Sequence, residues 1–463
     1  MQLEERLLSF YGDDFTGSTD AMEALTLSGL RTILFLEPPT KELLDEKFTD
    51  VACIGVAGIS RTMSPEQMET DLKPILKQIQ ELGASINHYK ICSTFDSSPT
   101  VGNIGRVLEM ILDINHTQAF VPIIAGATPL QRYTVFGNHF ARVDSKTFRL
   151  DEHPVMSRHP ITPMQEANLI KHLSKQTSYP VDLVDVLSMD DHFTELEATV
   201  ERIVTKQKPK GLLFDMLTSN HLTKIGKFIY EESKEKPLFV IGSSGVEYAL
   251  TNYWSSMQDL KKQEANVDKI NKTEKEQILV VSGSCSPITS EQIKHALDNG
   301  FTGLKVSPVK LIDPKTGSSY FNDLMKTVTE LINAGENVIV YSALGSDDSS
   351  IEETREYLQS IGAEPTSSGQ LLGEQFGKLI KKTVENTSLN RIVIAGGDTS
   401  SYATQEMGIY ALEMIRSVAP GAPLCKSYSN TQRFDGVEIA LKGGQLGQVD
   451  YFSKVHLGSN VTV

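Results

Sequence analysis

Between Leu7 and Gly29 an apolar, strand-like run breaks at Gly12-Asp13-Asp14-Phe15-Thr16-Gly17-Ser18 and continues with the spacing of an amphipathic helix. The pattern predicts a strand, a tight turn and a helix, with glycines on both sides of the paired aspartates so that backbone can turn and approach a ligand closely. Thr26-Leu27-Ser28-Gly29 reads as a helix end capped by Gly29 before a strand from Thr32 to Leu36. The chain therefore opens as a βαβ unit, which commits the later strands to a mainly parallel sheet. Asp13 and Asp14 have two readings. Asp at the start of a helix is ordinary capping and dipole chemistry. Two adjacent carboxylates in one turn also repel, and ligand hydroxyls, a cation or a proton-transfer role would compensate them.

At 463 residues the chain exceeds what one core organises, and two domains are expected. The hydrophobic share of 40% and charged share of 22% are those of a globular protein, with no apolar run long enough to span a bilayer. The N-terminus lacks a signal-like pattern, and a cytoplasmic protein is expected. Cys53, Cys92, Cys285 and Cys425 are far apart and form no CxxC pair, which argues against zinc and disulfide frameworks. A net charge of −15 disfavours non-specific binding to nucleic acid or anionic membrane. It leaves room for a nucleotide, since backbone amides and a local cation hold phosphate whatever the global charge.

Further strand–turn–helix units succeed the first. Ser64-Pro65 predicts an N-cap with proline at the first helical position. A strand from Asn87 to Ser93 leads into a polar turn running to Arg106, placed to bind an oxyanion or polyol. After a strand from Ala119 to Ala125, the segment to Pro163 is expected to be largely irregular, a lid or binding loop carrying Arg132, Asn138, His139, Asp144, Arg158 and His159. Arg158 and His159 are candidate carboxylate binders, although a lone histidine is more often a satisfied structural group. Strands at Val181 to Val186, Gly211 to Asp215 and Pro237 to Ile241 continue the rhythm; Gly242-Ser243-Ser244-Gly245 after the last suits close packing or ligand contact equally.

The charged stretch 258–277 reads as a linker between an N-terminal domain, 1–257, and a C-terminal domain, 278–463. In the second domain strands end in Ser282-Gly283-Ser284-Cys285-Ser286 and Gly396-Gly397-Asp398-Thr399-Ser400, the latter continuing as a helix to about Ser417. Another leads to Lys442-Gly443-Gly444. The first lacks the ending of a Walker A loop, but the three turns together suggest a nucleotide crevice. Cys285 is better read as a small packed residue than as a nucleophile.

The order and spacing of Gly12 to Asp20, Gly283-Ser284-Cys285-Ser286, Gly396 to Ser400 and Leu441-Lys442-Gly443-Gly444-Gln445-Leu446-Gly447 resemble the four-carbon acid sugar kinase family over nearly the whole chain. The resemblance implies an α/β protein of two domains with an interdomain cleft. It implies an ATP- and Mg²⁺-dependent kinase acting on the terminal hydroxyl of threonate, erythronate or an oxo-tetronate, with the acid on the first domain and ATP on the second. Carried over by motif, nucleotide contacts fall on Ser284, Ser286, Gly396, Gly397, Asp398, Thr399, Lys442, Gly443 and Gly444. Acceptor contacts fall on Asp13, Asp14 and the turn bearing Ser93, Thr94, Asp96, Asn103 and Arg106. The family's second motif has lysine followed by aspartate-serine-threonine; here Lys90-Ile91-Cys92-Ser93-Thr94 lacks the aspartate, and Asp96 and Arg106 are the candidates to compensate.

In the mechanism this implies, Asp14 or Asp13 deprotonates the acceptor hydroxyl, and Lys90, Arg106 and Arg158 hold the substrate carboxylate. Asp398 either helps place the metal or caps a helix. The expected partners are a sugar acid and ATP, with no nucleic acid or membrane, and a homodimer is compatible with the chain. A magnesium-dependent phosphatase and a non-catalytic sugar-acid binding protein are the alternatives, the first weakened because its aspartates alternate whereas these are adjacent.

Overall fold

The computed structural model describes residues 6–143, 145–159, 161–257, 276–364 and 367–458. Most of the expected linker, together with Asp144 and the side chain of Asp398, lies outside the described residues. The chain forms two compact units, Met1–Ala265 and Asn266–Val463.

In the first unit β1 (Leu8–Gly12), β2 (Thr32–Phe35), β3 (Cys53–Ala57), β4 (Ile86–Lys90) and β5 (Val121–Ile124) belong to one parallel sheet. Its order, completed by the later strands β9 (Val181–Val184), β10 (Gly211–Phe214) and β11 (Leu238–Gly242), is β2-β3-β1-β4-β11-β5-β10-β9. The strands β1, β4 and β11 are buried at every position, as expected of strands covered on both faces by crossover helices. The predicted cap at Gly29 is present: at φ +91° it donates to Thr26 O, and Leu30 N–H returns to Leu25 O. Ser64 and Gln67 form a complete capping box with Pro65 behind it.

The segment expected to be irregular is instead a second sheet, β6 (Arg132–Val135), β7 (Asn138–Val143) and β8 (Lys146–Arg149), antiparallel in that order. A two-residue turn joins β6 to β7 with Phe136 at φ +48° and Gly137 at φ +73°, the doubly left-handed geometry that matches strand twist. These strands are short and half-exposed, and so lack the apolar run that betrays a buried strand.

The second unit contains β12 (Ile278–Ser282), β13 (Phe301–Lys305), β14 (Asn337–Tyr341), β15 (Arg391–Ala395), β16 (Ile409–Arg416), β17 (Leu424–Ser429) and β18 (Glu438–Lys442), in the order β13-β14-β12-β15-β18-β17-β16. The strands from β13 to β18 in that order pair parallel, whereas β17 and β16 are antiparallel additions. The helix expected to run to about Ser417 stops at Glu406, and the residues up to Arg416 form β16. Gly408, at φ +61°, breaks the helix, and its successors alternate in burial as a strand does.

The two units repeat one topology. In each, the second and third strands lie on one side of the first strand and the fourth lies on the other, so the order reverses between β1 and β4 and again between β12 and β15. Open α/β sheets bind ligands beyond the carboxyl ends of strands at such a switch point. Among the described residues no helix is long and apolar enough to cross a membrane.

Candidate active site and nucleotide crevice

At the first switch point Gly12 pairs with Lys90, and Asp13 N–H donates to Lys90 O at 2.9 Å, carrying the register one residue past the strand. Asp14 caps the helix Phe15–Leu27, its Oδ1 accepting from Gly17 N–H at 2.8 Å. The capping reading is therefore correct, and it accounts for one oxygen of four. Arg61, from the turn after β3, accounts for the other three. It donates from Nη2 to Asp13 Oδ1 at 2.7 Å, from Nε to Asp13 Oδ2 at 3.1 Å and from Nη1 to Asp14 Oδ2 at 2.8 Å. Its backbone N–H also donates to Asp13 O at 3.0 Å.

Burial raises the pKa of Asp13, and the Arg61 guanidinium opposes that rise. Burial likewise disfavours the charge on Arg61, but Asp13 and its neighbours outweigh it and hold the guanidinium firmly protonated. Asp13 is 4% exposed and Asp14 28% exposed, so Asp14 is the carboxylate that a ligand can reach. Lys90 supplies a second cation. Its Nζ and Asp14 Oδ1 each lie 2.5 Å from where a Cβ on Gly17 would stand, so only glycine leaves that space to them. Behind this layer, His88 donates from Nε2 to Gly242 O at 3.0 Å and meets Glu247 Oε1 through Nδ1 at 2.7 Å, both side chains fully buried.

The turn after β4 adds polar groups. Thr94 Oγ1 donates to Asp96 Oδ1 at 2.8 Å and lies 3.0 Å from Cys92 Sγ. Burial first, then the nearby Asp96 carboxylate, push the Cys92 thiol up to about 11, while Arg61 opposes the shift. Asp96 thus returns a carboxylate to the neighbourhood of Cys92. Arg106 does not return a cation there: it pairs with Glu69 at 2.6 Å and Glu109 at 2.7 Å. Asn103 is occupied as a helix cap, accepting from Arg106 N–H at 2.7 Å and donating to Pro99 O at 3.0 Å. Arg158 is exposed, and His159 Nδ1 accepts from Thr162 N–H at 3.1 Å, so neither is brought to the aspartates by a described hydrogen bond. Gly245 belongs to packing, since a Cβ there would stand 1.9 Å from Gly126 O.

Sequence reasoning missed Arg61. The available signal was its position in a polar turn, Ser60-Arg61-Thr62, after the strand that neighbours β1.

At the second switch point three turns converge. Gly283 N–H donates to Ala395 O at 3.1 Å and Gly396 N–H to Lys442 O at 2.9 Å, tying the ends of β12, β15 and β18 together. Gly396 sits at φ +125°, and a Cβ on Gly283 would stand 2.2 Å from Thr399 Oγ1, so Thr399 closes directly over that backbone. Ser284 Oγ donates to Thr289 Oγ1 at 3.2 Å, and Ser286 Oγ donates to Gly444 O. Lys442 is buried, donating to Thr289 Oγ1 and Gly443 O at 2.9 Å each and to Gly444 O at 3.3 Å. Burial lowers its pKa to about 8. Beside these turns a cavity of about 330 Å³, lined by Gly283, Pro308, Ala343, Ile351, Leu372 and Thr399 among others, falls within the small-ligand range of roughly 300–1,000 Å³.

Residues 8–250 match the family described as sugar-binding N-terminal domain, and residues 279–452 that described as nucleotide-binding C-terminal domain. A 3-oxo-isoapionate kinase of Paraburkholderia graminis is 38% identical over 98% of this chain and 94% of its own length. A 3-oxo-tetronate kinase of Pectobacterium atrosepticum is 28% identical over 96% of this chain and 98% of its own. In fold, the chain is similar to a Salmonella typhimurium LT2 protein at TM-score 0.77 and 21% identity, covering 96% of this chain and 98% of that one. A Haemophilus influenzae protein gives TM-score 0.73 at 22% identity with the same coverage. By the two domain matches and the relationship at 38% identity, the chain belongs to the four-carbon acid sugar kinase family.

Proposed function

We propose that the protein is an ATP-dependent kinase that phosphorylates a terminal hydroxyl of a short 3-oxo sugar acid, with MgATP as the second substrate. The observation that carries this reading is the pair of carboxylates held by Arg61 at the first switch point, with the exposed one, Asp14, beside Lys90. Asp14 takes the hydroxyl proton as the acceptor oxygen bonds to the γ-phosphorus, and the bond from that phosphorus to the β-bridging oxygen breaks to release ADP. Arg61 balances the charge of Asp14 and fixes its direction. Lys90 neutralises charge on the incoming phosphoryl group. On the second unit, backbone amides of the turns at Gly283–Ser286 and Gly396–Thr399 cradle phosphates, and the adjacent cavity takes the nucleoside. Lys442 holds the Gly443–Gly444 turn and carries positive charge beneath it. The phosphatase alternative is disfavoured because a nucleophilic Asp13 would have to reach substrate, and its side chain is 4% exposed behind Arg61, against 28% for Asp14.

The test is ADP release from MgATP with 3-oxo-isoapionate, 3-oxo-tetronate, threonate and erythronate, the new phosphate being located by NMR. One of the 3-oxo acids is expected to stimulate release, and Asp14→Asn to reduce turnover by about 10²-fold or more while ATP still binds. Near-normal turnover in Asp14→Asn would remove it as the base, and silence with every acid would overturn the kinase reading.

A further inference from the structure

The small antiparallel sheet presents one face to the turn after β4. Arg132 pairs with Ala141 and Thr134 with His139 across β6 and β7, so all four side chains lie on the same face. His139 shows where that face points: it is fully buried, and its Nε2 donates to Ser93 O at 2.9 Å. A carbonyl can only accept, so Nε2 carries the proton and the Thr134 hydroxyl donates to Nδ1 at 3.0 Å. Burial drives the pKa of this ring down to about 4 and keeps it neutral. The turn that it grips is strained. Phe95, fully buried, sits at φ +59°, a conformation that bulky L residues rarely adopt and that marks sites whose surroundings over-determine them. Ser97 holds it from the other side, donating to Phe95 O at 3.0 Å while Gln176 donates to Ser97 Oγ at 2.9 Å.

Arg132, two residues from Thr134 on that face, has an unusual environment. Its Nη1 donates to Leu130 O at 3.0 Å, Gln131 O at 3.4 Å and Arg142 O at 3.2 Å, all neutral acceptors. Its Nε is buried without a hydrogen-bond partner, and among the described residues no carboxylate forms an ion pair with it. The charge is close enough to His139 to help lower the pKa of that ring, and Cys92 is close enough to Arg132 to oppose the fall that burial imposes on the guanidinium. A partly buried guanidinium without an anion is costly, and a carboxylate from a ligand would supply the missing partner with the planar, two-point geometry that arginine favours.

We propose that Arg132 is the carboxylate anchor of the phosphoryl acceptor, carried to the Cys92–Asp96 turn by the small sheet and latched there by His139. The inference rests on the sugar-acid reading of the first unit, not on turnover. The experiment compares wild-type protein, Arg132→Met and Arg132→Lys with the preferred 3-oxo acid and with a neutral four-carbon ketose lacking the carboxylate. Acid binding is also followed by calorimetry without ATP. Arg132→Met is expected to weaken acid binding by about 10²-fold, the range for losing a charge-assisted pair. Ketose binding and the KM for ATP should stay within about twofold, and Arg132→Lys should lose about tenfold. Equal losses for acid and ketose, or acid binding within about threefold of wild type in both variants, would overturn the proposal. Wild-type protein that binds the acid without releasing ADP would instead overturn the kinase reading and leave the anchor testable by calorimetry.

Discussion

Replacing Arg61 by methionine should be the most informative single change in the first unit. The side chain makes three charge-assisted hydrogen bonds to two adjacent carboxylates, one of them almost fully buried. Methionine fills similar volume and leaves Asp13 and Asp14 facing each other with Lys90 as the remaining nearby cation. Breaking a buried ion pair from one side costs about 3–5 kcal/mol. Arg61 and Asp14 retain 23% and 28% exposure, so the lower end, about 3 kcal/mol, is expected. For a domain of this size that lowers Tm by roughly 6–12 °C. Trp254, the only tryptophan and buried in the first unit, reports this unit's unfolding in urea. The sign of the pH dependence is fixed. Loss of Arg61 raises the pKa of Asp13 further above its unfolded value, so the folded state binds the extra proton and the penalty shrinks as pH falls. The deficit should therefore be smaller at pH 5 than at pH 8, and Asp13→Asn added to Arg61→Met should recover much of it. A loss below about 1 kcal/mol, or one unchanged between those pH values, would refute this account of the pair.

Two further outcomes are expected. Gly17→Ala improves helix propensity by about 1 kcal/mol, but its methyl displaces Lys90 Nζ and the capping Asp14 Oδ1, whose lost cap costs about as much, so stability should change little while kcat falls about tenfold or more; unchanged kcat would mean that Lys90 and Asp14 need not occupy that space. Lys442, with its pKa lowered to about 8 against 10.5 unfolded, penalises folding while charged, so the penalty should fade as pH rises from 8 toward 10.5. Nucleotide phosphate nearby would restore the charge, and calorimetry at pH 8 in buffers of different ionisation enthalpy should show uptake of about half a proton when MgATP binds; no uptake would place the phosphates away from Lys442.

Local signals in the chain were sufficient for its local devices. Gly29 ends the first helix, Ser64-Pro65 starts a later one, and Asp14 caps as its position demands, because each effect is confined to a few consecutive residues. Alternation of strands and helices was likewise enough for two mainly parallel α/β units. The same reading fell short where pattern is weak: β6 to β8 are short and half-exposed, and β16 comes directly after a helix with only Met407 and Gly408 to separate them.

What the sequence determined alone was therefore the rhythm of the elements, their caps, and the glycine and aspartate turns at the strand ends. Which of those turns meet was decided by strand order. Arg61 reaches Asp13 across 48 positions because β3 lies beside β1, and the same adjacency principle brings Gly283, Gly396 and Lys442 together from positions far apart. Arg106, read from the chain as a substrate cation, was claimed by Glu109 one turn along its own helix and by Glu69, which the packing of another helical segment brings to it. Charge partners at long range depend on which side of a strand its neighbour lies, and only the folded sheet specifies that.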